Sequence, residues 1–328
     1  MILPISGIAK SFWRDAPSPC YSAYNKKFLI RKEITISILQ TRARRVGMTR
    51  HGANLLLLLV AASWGLSYVL LKMGASSMHP FEVLAWRFSF ASLACILIFR
   101  QRLTHIRMRT VLYGAILGTL MFACSCALIF GELTTEASTA GFLTSTAIVL
   151  VPLIQSVRRR HLPEARLLVS ILCASIGIAM LSLKGGLVLT AGAALCILSA
   201  ILYASHTITT GELVQREDAL LLGVIQQLTM CAWGWIMSLL FASPSLPETS
   251  EHWIILIALG LLCGAFPFVA QPAAQRFTSP EHTALILSLE PVFGAVFSMI
   301  ILSETMSLQA ICGAVLVLAS VLVTSLKK

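Results

Sequence analysis

The sequence is dominated by apolar stretches that are each long enough to cross a lipid bilayer. A helix needs about 20 such residues to span the bilayer core, and only helices and closed barrels satisfy their backbone hydrogen bonds within lipid. Runs of this length predict an all-α integral membrane protein with ten transmembrane helices joined by short connections. The predicted spans cover residues 54–73, 80–100, 110–130, 136–157, 165–183, 187–208, 219–241, 252–272, 281–302 and 307–325.

Composition agrees with this fold class. Apolar residues make up 57% of the chain and charged residues only 12%, whereas soluble domains carry about 25% charged residues. Of the nine cysteines, all except Cys20 fall within spans. Cys124 and Cys126 are two residues apart and so point to opposite sides of a helix. Neither a metal site nor a disulfide framework is therefore predicted.

Positive charge is concentrated in an N-terminal tail and at alternate span ends. Residues 1–53 contain ten Lys or Arg against Asp15 and Glu33, and so hold +8 of the net charge of +11. Because the other basic residues cluster at every second connection, the positive-inside rule places both termini in the cytoplasm. This pattern favours anionic lipid headgroups over nucleic acid as the partner of the tail. A start at Met48, which would leave the tail out of the protein, is the alternative interpretation.

The two halves of the chain share a spaced pattern. Gly114 and Gly118 of the third span recur as Gly260 and Gly264 of the eighth, and a Thr-Ala-x-x-Leu pattern of the fourth span recurs in the ninth at an offset of 144. Five spans per unit is an odd number, so the second copy is predicted to lie inverted relative to the first. We predict repeats over 54–183 and 187–326. Secondary transporters use this plan to place a substrate site between the halves, near the midplane.

The ninth span combines a carboxylate with a helix-breaking residue. Glu290 lies about nine residues into it, near the middle of the bilayer core, where a charge costs several kcal/mol without a partner, water or a proton. The missing N–H of Pro291 predicts a bend one turn earlier, and Pro267 and Pro272 predict a hinge in the eighth span. Glu290 is predicted to bind a substrate amine or to carry a coupling proton. The alternative is a structural carboxylate that holds two helices together.

Further polar residues lie within the second and seventh spans. Arg87 is predicted to bind a substrate carboxylate through its guanidinium or to pair with an acid such as Glu290. Alternatively, its side chain extends to the headgroups. Gln226 and Gln227 are predicted to supply the polar group of the second half at a similar position.

Aromatic and hydroxyl side chains of the first and sixth spans complete the predicted site. Trp64, Ser67 and Tyr68 share one face of the first span because they are three and four residues apart. Tyr203 is the corresponding candidate in the sixth span. His206, three residues further on, is predicted to lie at the membrane interface rather than in a proton relay.

Several of these residues also resemble a known family. The ten-helix plan, Trp64-Gly65, Arg87, the Leu289–Phe293 segment and Glu304 resemble the EamA type of the drug/metabolite transporter superfamily, over about residues 54–326. The resemblance implies a plasma-membrane transporter, often an exporter of amino acids or related metabolites, with a central cavity between the halves. It also implies a gate or turn role for Glu304, whereas the residues alone suggest a solvated loop acid.

The first half departs from this pattern at one point. Thr146 and Ala147 occupy the positions that correspond to Glu290 and Pro291. A site that uses the midplane charge is therefore predicted to be asymmetric, with the carboxylate supplied by the second half alone.

Together these features predict a secondary transporter, an exporter of small polar metabolites such as amino acids that works by alternating access. A carrier or flippase of an amphipathic lipid-like substrate, and a non-transporting scaffold or sensor, are the alternatives. No hydrolase, metalloprotease or nucleotide-binding motif occurs, so neither catalysis nor a cofactor is predicted. The expected partners are a small-molecule substrate, the bilayer and, for coupling, protons. The small-residue faces of the fifth and tenth spans also admit a homodimer.

Overall fold

The computed structural model describes residues 48–74, 78–104, 106–134, 142–182, 191–242, 246–247, 249–303 and 305–325. All regular secondary structure in these ranges is helical. Seven helical segments are long and apolar enough to cross a membrane, and two more apolar helices are shorter. With Ala147–Arg159, which supplies the fourth span, this confirms the predicted all-α membrane fold of ten helices. The tail over residues 1–47 and the gate candidate Glu304 lie outside the described residues.

The helices follow the predicted order. The first half contains α1 (Arg50–Gly74), α2 (Pro80–Leu103), α3 (Met108–Glu132), α4 (Ala147–Arg159) and α5 (Ala165–Ser182). The second half contains α6 (Ala191–Leu213), α7 (Ala219–Phe241), α8 (Ser250–Gly260), a π-helical turn (Leu261–Ala265), α9 (Phe266–Gln275), α10 (Pro280–Leu287), α11 (Glu290–Ile301) and α12 (Leu308–Ser325).

The helix starts of α2, α7 and α10 are capped by side chains. His79 and Glu82 form a capping box at α2, and the Asp218 carboxylate accepts from two backbone N–H groups at the start of α7. The Ser279 hydroxyl accepts from the N–H of His282 at the start of α10, where Pro280 occupies the first turn. Caps of this kind pair N–H groups that have no partner within the helix. They fix where these three helices begin.

The fourth and ninth spans are interrupted at equivalent positions. In the ninth, the regular α-helix is interrupted by a turn at Ser288 and Leu289, so that Glu290 opens α11. The fourth is interrupted at Thr146, which corresponds to Glu290 at the offset of 144. The hydroxyls of Thr146 and Ser288 each donate to the carbonyl three residues earlier, Leu143 and Leu285, at 2.5 and 2.6 Å. Both halves thus break their fourth helix, although only the second has a proline there.

Helix packing confirms the inverted repeat. α2 packs against its counterpart α7, and α5 packs against its counterpart α12. α3 packs against α6, and its counterparts α8 and α9 pack in the same way against α1, the counterpart of α6. α3 also packs against α7, and correspondingly α8 and the π-helical turn pack against α2. The two GxxxG motifs serve equivalent contacts. A Cβ added at Gly114 would lie 2.6 Å from Cβ of Ile225 on α7, and one added at Gly260 would lie 2.6 Å from Cβ of Phe90 on α2.

One end of the bundle, which we call the basic end, carries the arginine-rich helix ends. Ion pairs join them: Arg102 of α2 with Asp218 before α7, Arg158 of α4 with Glu212 of α6, and Arg159 of α4 with Glu281 of α10, at 3.5, 2.7 and 3.5 Å. α1 also begins here, because Arg50 shares a cavity with Arg159 and Glu281. Large apolar side chains are exposed on the outside of the bundle, for example Ile98 and Leu240, as expected for helices surrounded by lipid.

Candidate functional site

A cavity of about 120 Å³ lies among α1, α2, α3, α4, α6, α9 and the broken ninth span. It has room for several water molecules. The structure brings six of the eight predicted substrate or coupling residues into its lining: Trp64, Ser67, Tyr68, Arg87, Tyr203 and Glu290. These residues come from four different spans of both halves, so the cavity lies between the repeats.

Glu290 enters the cavity from the helix break. The Tyr68 hydroxyl donates a hydrogen bond to its Oε1 at 2.9 Å. The carboxylate also occupies the first turn of α11, where unpaired N–H groups and the helix dipole favour negative charge. Because Pro291 offers no N–H, the chain cannot complete the ladder across Ser288 and Leu289. The local sequence thus exposes a helix N-terminus inside the bundle and places an acid on it.

Arg87 is held by a second interruption, in the eighth span. Nη2 of Arg87 donates to the carbonyl oxygen of Cys263 at 2.7 Å. In a continuous helix, the N–H of residue 267 would donate to that carbonyl, but residue 267 is proline. The Ser63 hydroxyl likewise donates to the carbonyl of Leu262 in the π-helical turn. Side chains from α1 and α2 thus pair the carbonyls that this interruption frees.

The guanidinium keeps donor capacity for a ligand. Nε of Arg87 is buried without a hydrogen-bond partner, and the guanidinium carbon lies 5.8 Å from the ring centroid of Phe88. A buried N–H without a partner is costly, so this donor is one that a ligand of Arg87 could use after a small movement of the side chain. The site therefore offers a fixed cation and a fixed anion in the lining of one cavity.

Three aromatic rings form the floor of the cavity on the side of the basic end. Trp64 contacts Tyr203 edge-on at 6.0 Å between ring centroids, and Phe268 at 5.6 Å. Trp64 and Phe268 are nearly fully buried. We call these three residues the aromatic floor, since on their own helices α1, α6 and α9 no residue between the rings and the basic end lines the cavity.

Sequence reasoning missed several small polar side chains of the lining. Cys124 and Ser125 come from α3, Thr144 and Ser145 from the broken fourth span, and Ser288 from the broken ninth. The repeat contained a signal for some of them, because Thr144 corresponds to Ser288 at the offset of 144. The break in the ninth span places Glu290 in the cavity lining, and the corresponding break in the fourth span places the hydroxyl residues Thr144 and Ser145 there.

The other predicted residues lie elsewhere. Gln226 and Gln227 are fully buried outside the cavity, and Oε1 of Gln226 lies 2.7 Å from Nε2 of His206. The prediction of an interface position for His206 is wrong, because its side chain is completely enclosed by protein. Its ring turns inward because Gln226 supplies a buried hydrogen-bond partner. Pro267 is the second residue of α9, just after the π-helical turn, whereas Pro272 lies in the interior of α9.

Comparisons with known proteins agree with this architecture. The model of the EamA-like transporter family matches residues 51–183 and 190–326. Two uncharacterized transporters of Archaeoglobus fulgidus are similar to the chain. One is 27% identical, over 90% of this chain and 92% of the relative; the other is 25% identical, over 84% and 98%. A crystal structure with 15% sequence identity superposes with a TM-score of 0.72, over 84% of this chain and 97% of that chain, which shows a shared fold.

Proposed function

The chain belongs to the EamA-like transporter family, and from that premise we propose that it exports small polar metabolites of the amino-acid type by alternating access. The observation that carries this proposal is the meeting of Glu290 and Arg87 in the lining of one cavity. A zwitterion needs one partner of each sign. An acid and a base that both line one cavity fit that need better than they fit a solute with a single charge.

The chemistry of the lining supports a small polar substrate. A substrate ammonium group would lie against the Glu290 carboxylate, and a substrate carboxylate would accept from Arg87 in a charge-assisted pair. Hydroxyls of Ser125, Ser145 and Ser288 also line the cavity. The aromatic floor provides an apolar surface for a side chain. Such a mixture of a few placed polar groups and apolar walls is typical of small-molecule sites.

Alternating access in this proposal uses the two broken helices. The halves are related by an inverted repeat, and residues next to both breaks, at Thr146 and before Glu290, line the cavity. In transporters of this plan, one repeat moves against the other around a fixed midplane site. The direction, export, follows from the family resemblance. We place the protein in the plasma membrane with both termini, and therefore the basic end, in the cytoplasm.

Two further parts belong to the proposal. Glu290 is the group that would carry a coupling proton when no substrate amine occupies the cavity. A homodimer contact would lie on the outer faces of α5 and α12, where Leu172 and Val315 are exposed. The small residues Ala310 and Ala314 are not available for it, because they are buried in the helix packing of the chain.

Flux measurements in sealed proteoliposomes test the function. A panel of amino acids is assayed with and without a proton gradient, using the wild type, Glu290→Gln and the control Glu251→Gln. Glu251 is exposed in the first turn of α8, so that variant loses the same charge outside the cavity. We expect flux in the wild type and in the control and none in Glu290→Gln. Wild-type flux in Glu290→Gln, or movement of lipid probes with no amino-acid flux, would contradict the proposal.

A further inference from the structure

A group of buried polar side chains lies between the aromatic floor and the basic end. It consists of His206 and Thr207 of α6, Gln226 of α7 and Gln275 of α9, and we call it the polar tract. All four side chains are fully buried. Contacts connect them across helices: His206 with Gln226 at 2.7 Å, and the Gln275 amide donating to the carbonyl of Thr207 at 3.1 Å.

The polar tract is poorly satisfied. Nδ1 of His206, the hydroxyl of Thr207, Nε2 of Gln226 and Oε1 of Gln275 are buried without a hydrogen-bond partner. Nearly all buried polar groups in folded proteins are paired, because desolvation without a partner is costly. A network that served packing alone would be expected to pair these atoms. Four unpaired groups in one cluster instead indicate side chains whose partners are present in another state of the protein.

At its upper side, the polar tract adjoins the cavity. Tyr203 belongs to the aromatic floor, and His206 and Thr207 follow it within one turn of α6. The rings of Tyr203 and His206 stack with 6.4 Å between centroids. The hydroxyls of Tyr203 and Thr207 approach each other without reaching hydrogen-bond geometry. One layer of rings therefore separates the lining of the cavity from the first groups of the tract.

A second cavity of about 780 Å³ opens at the basic end. Its lining includes Arg50, Gln155, Arg159, Arg166, Glu281 and His282. α10 connects this cavity to the first one. His282 lines the lower cavity, Thr283 is fully buried with an unpaired hydroxyl, and Ala284 lines the upper cavity. The start of α10 also contacts α6, since a Cβ added at Gly211 would lie 2.7 Å from Cγ of Pro280.

We infer that the polar tract lines the half of the solute pathway that opens toward the basic end, and that this half is closed in the present structure by the aromatic floor. The inference rests on the proposed function. When the floor separates, the unpaired imidazole, amide and hydroxyl groups would face water and the passing solute. Their chemistry suits a zwitterion in transit. Uncharged donors and acceptors bind the ammonium and carboxylate groups of the solute weakly, whereas the charged side chains of Glu290 and Arg87 bind these groups strongly.

Cysteine accessibility in vesicles tests this inference without knowledge of the substrate. In the full chain with its nine native cysteines replaced by serine, Thr207→Cys and Gln275→Cys are exposed to a charged, membrane-impermeant methanethiosulfonate reagent from either face. The matched control is Ser205→Cys. Ser205 is a neighbour of Thr207 on α6, but it is partly exposed on the outside of the bundle, where lipid suppresses the reactive thiolate. Ser67→Cys, in the upper cavity, reports access from the opposite face.

We expect labelling of positions 207 and 275 from the face of the basic end, at least tenfold faster than labelling of position 205. Labelling of position 67 alone would overturn the inference and leave the proposed function intact. Equal rates at 205 and 207 would also overturn it. Absence of amino-acid flux would instead overturn the proposed function.

A second measurement covers the case in which the cysteine-free chain does not fold. Hydroxyl-radical footprinting of the unaltered protein in liposomes compares oxidation of His206 with that of Met230, which is fully buried on α7. Although methionine is intrinsically easy to oxidise, we expect faster oxidation of His206, because water would reach the tract. Protection of both residues would contradict the inference.

Discussion

The Tyr68 hydroxyl donates to Oε1 of Glu290 at 2.9 Å and so joins the first span to the break in the ninth. The backbones of the two helices meet at the same level. A Cβ added at Gly65 would lie 2.7 Å from the backbone nitrogen of Gly294. In the repeat, the contact between α1 and α11 corresponds to the contact between α6 and α4. Since the first half has no acid at the position of Glu290, this carboxylate hydrogen bond occurs in the first of these contacts and has no equivalent in the second. It fixes the carboxylate at the edge of the cavity.

Tyr68→Phe should weaken transport without unfolding the protein. A hydrogen bond to a charged group contributes about 1.5–3 kcal/mol, so we expect kcat/KM for the proposed amino-acid substrate to fall by about tenfold or more. The ring itself, and its contact with Gly294, would remain. The control is Tyr113→Phe, whose hydroxyl accepts a long hydrogen bond from Arg109 near the basic end. Initial rates in proteoliposomes give the comparison, and equal rates in the two variants would show that the Tyr68 hydroxyl has no role.

Gly65→Ala should destabilise the protein more than Gly294→Ala, although both change the same contact. The Cβ at position 65 would meet backbone atoms, the nitrogen of Gly294 at 2.7 Å and the carbonyl oxygen of Glu290 at 2.8 Å. At position 294, the nearest atom is Cδ2 of the Tyr68 side chain at 3.3 Å, which can move. Overpacking costs about 1–3 kcal/mol, against about 1 kcal/mol of helix propensity gained. Thermal unfolding in detergent should therefore show a lower Tm for Gly65→Ala than for Gly294→Ala.

The fold could be predicted from the sequence because each span must satisfy its own backbone hydrogen bonds in lipid. Span length and the repeated GxxxG motifs are therefore visible in one dimension. The π-helical turn was not predictable. It depends on Arg87 and Ser63, which come from other spans and pair the freed carbonyls of Cys263 and Leu262. The proline at position 267 indicated only that some local change would occur.

The site was predictable where a residue type is costly in a membrane. Glu290 and Arg87 stand out because a buried charge needs a reason. Ser125 and Thr144 do not stand out, since small hydroxyl residues are common in membrane helices whichever way they face. Gln226 differs from them, because it is not part of the cavity lining. It is polar and deep, but the rotation of α7 points it toward His206 rather than into the cavity. Only packing decides that rotation.

Paired substitutions should separate the two charge contacts of the substrate. Arg87→Gln removes the cation that would bind a substrate carboxylate. The ratio of the affinity for the analogue without a carboxylate to the affinity for the amino acid should therefore rise at least tenfold. Glu290→Gln should produce the reverse preference, for the acid that lacks the amine. Competition binding to purified protein, with an amino acid and its two single-charge analogues, measures both ratios. An unchanged order of preference in both variants would rule out the assignment of the two ends.

Arg87 and Pro267 should be energetically coupled, although the two side chains perform different tasks. Replacing Arg87 by methionine leaves the carbonyl of Cys263 unpaired, because Pro267 has no N–H to offer it. An orphaned buried carbonyl costs about 1–3 kcal/mol. In a Pro267→Ala background, the alanine N–H can donate to that carbonyl, so the same Arg87→Met change should cost less.

A double-mutant cycle by thermal or denaturant unfolding measures this coupling, which we expect at about 1 kcal/mol or more. Pro272→Ala serves as the control background, because residue 272 lies inside α9 and would donate to the carbonyl of Phe268 rather than to that of Cys263. The coupling should be absent there. If Arg87→Met costs the same in the Pro267→Ala background as in the wild type, the guanidinium does not act as the substitute donor, and the shape of the eighth span must have another cause.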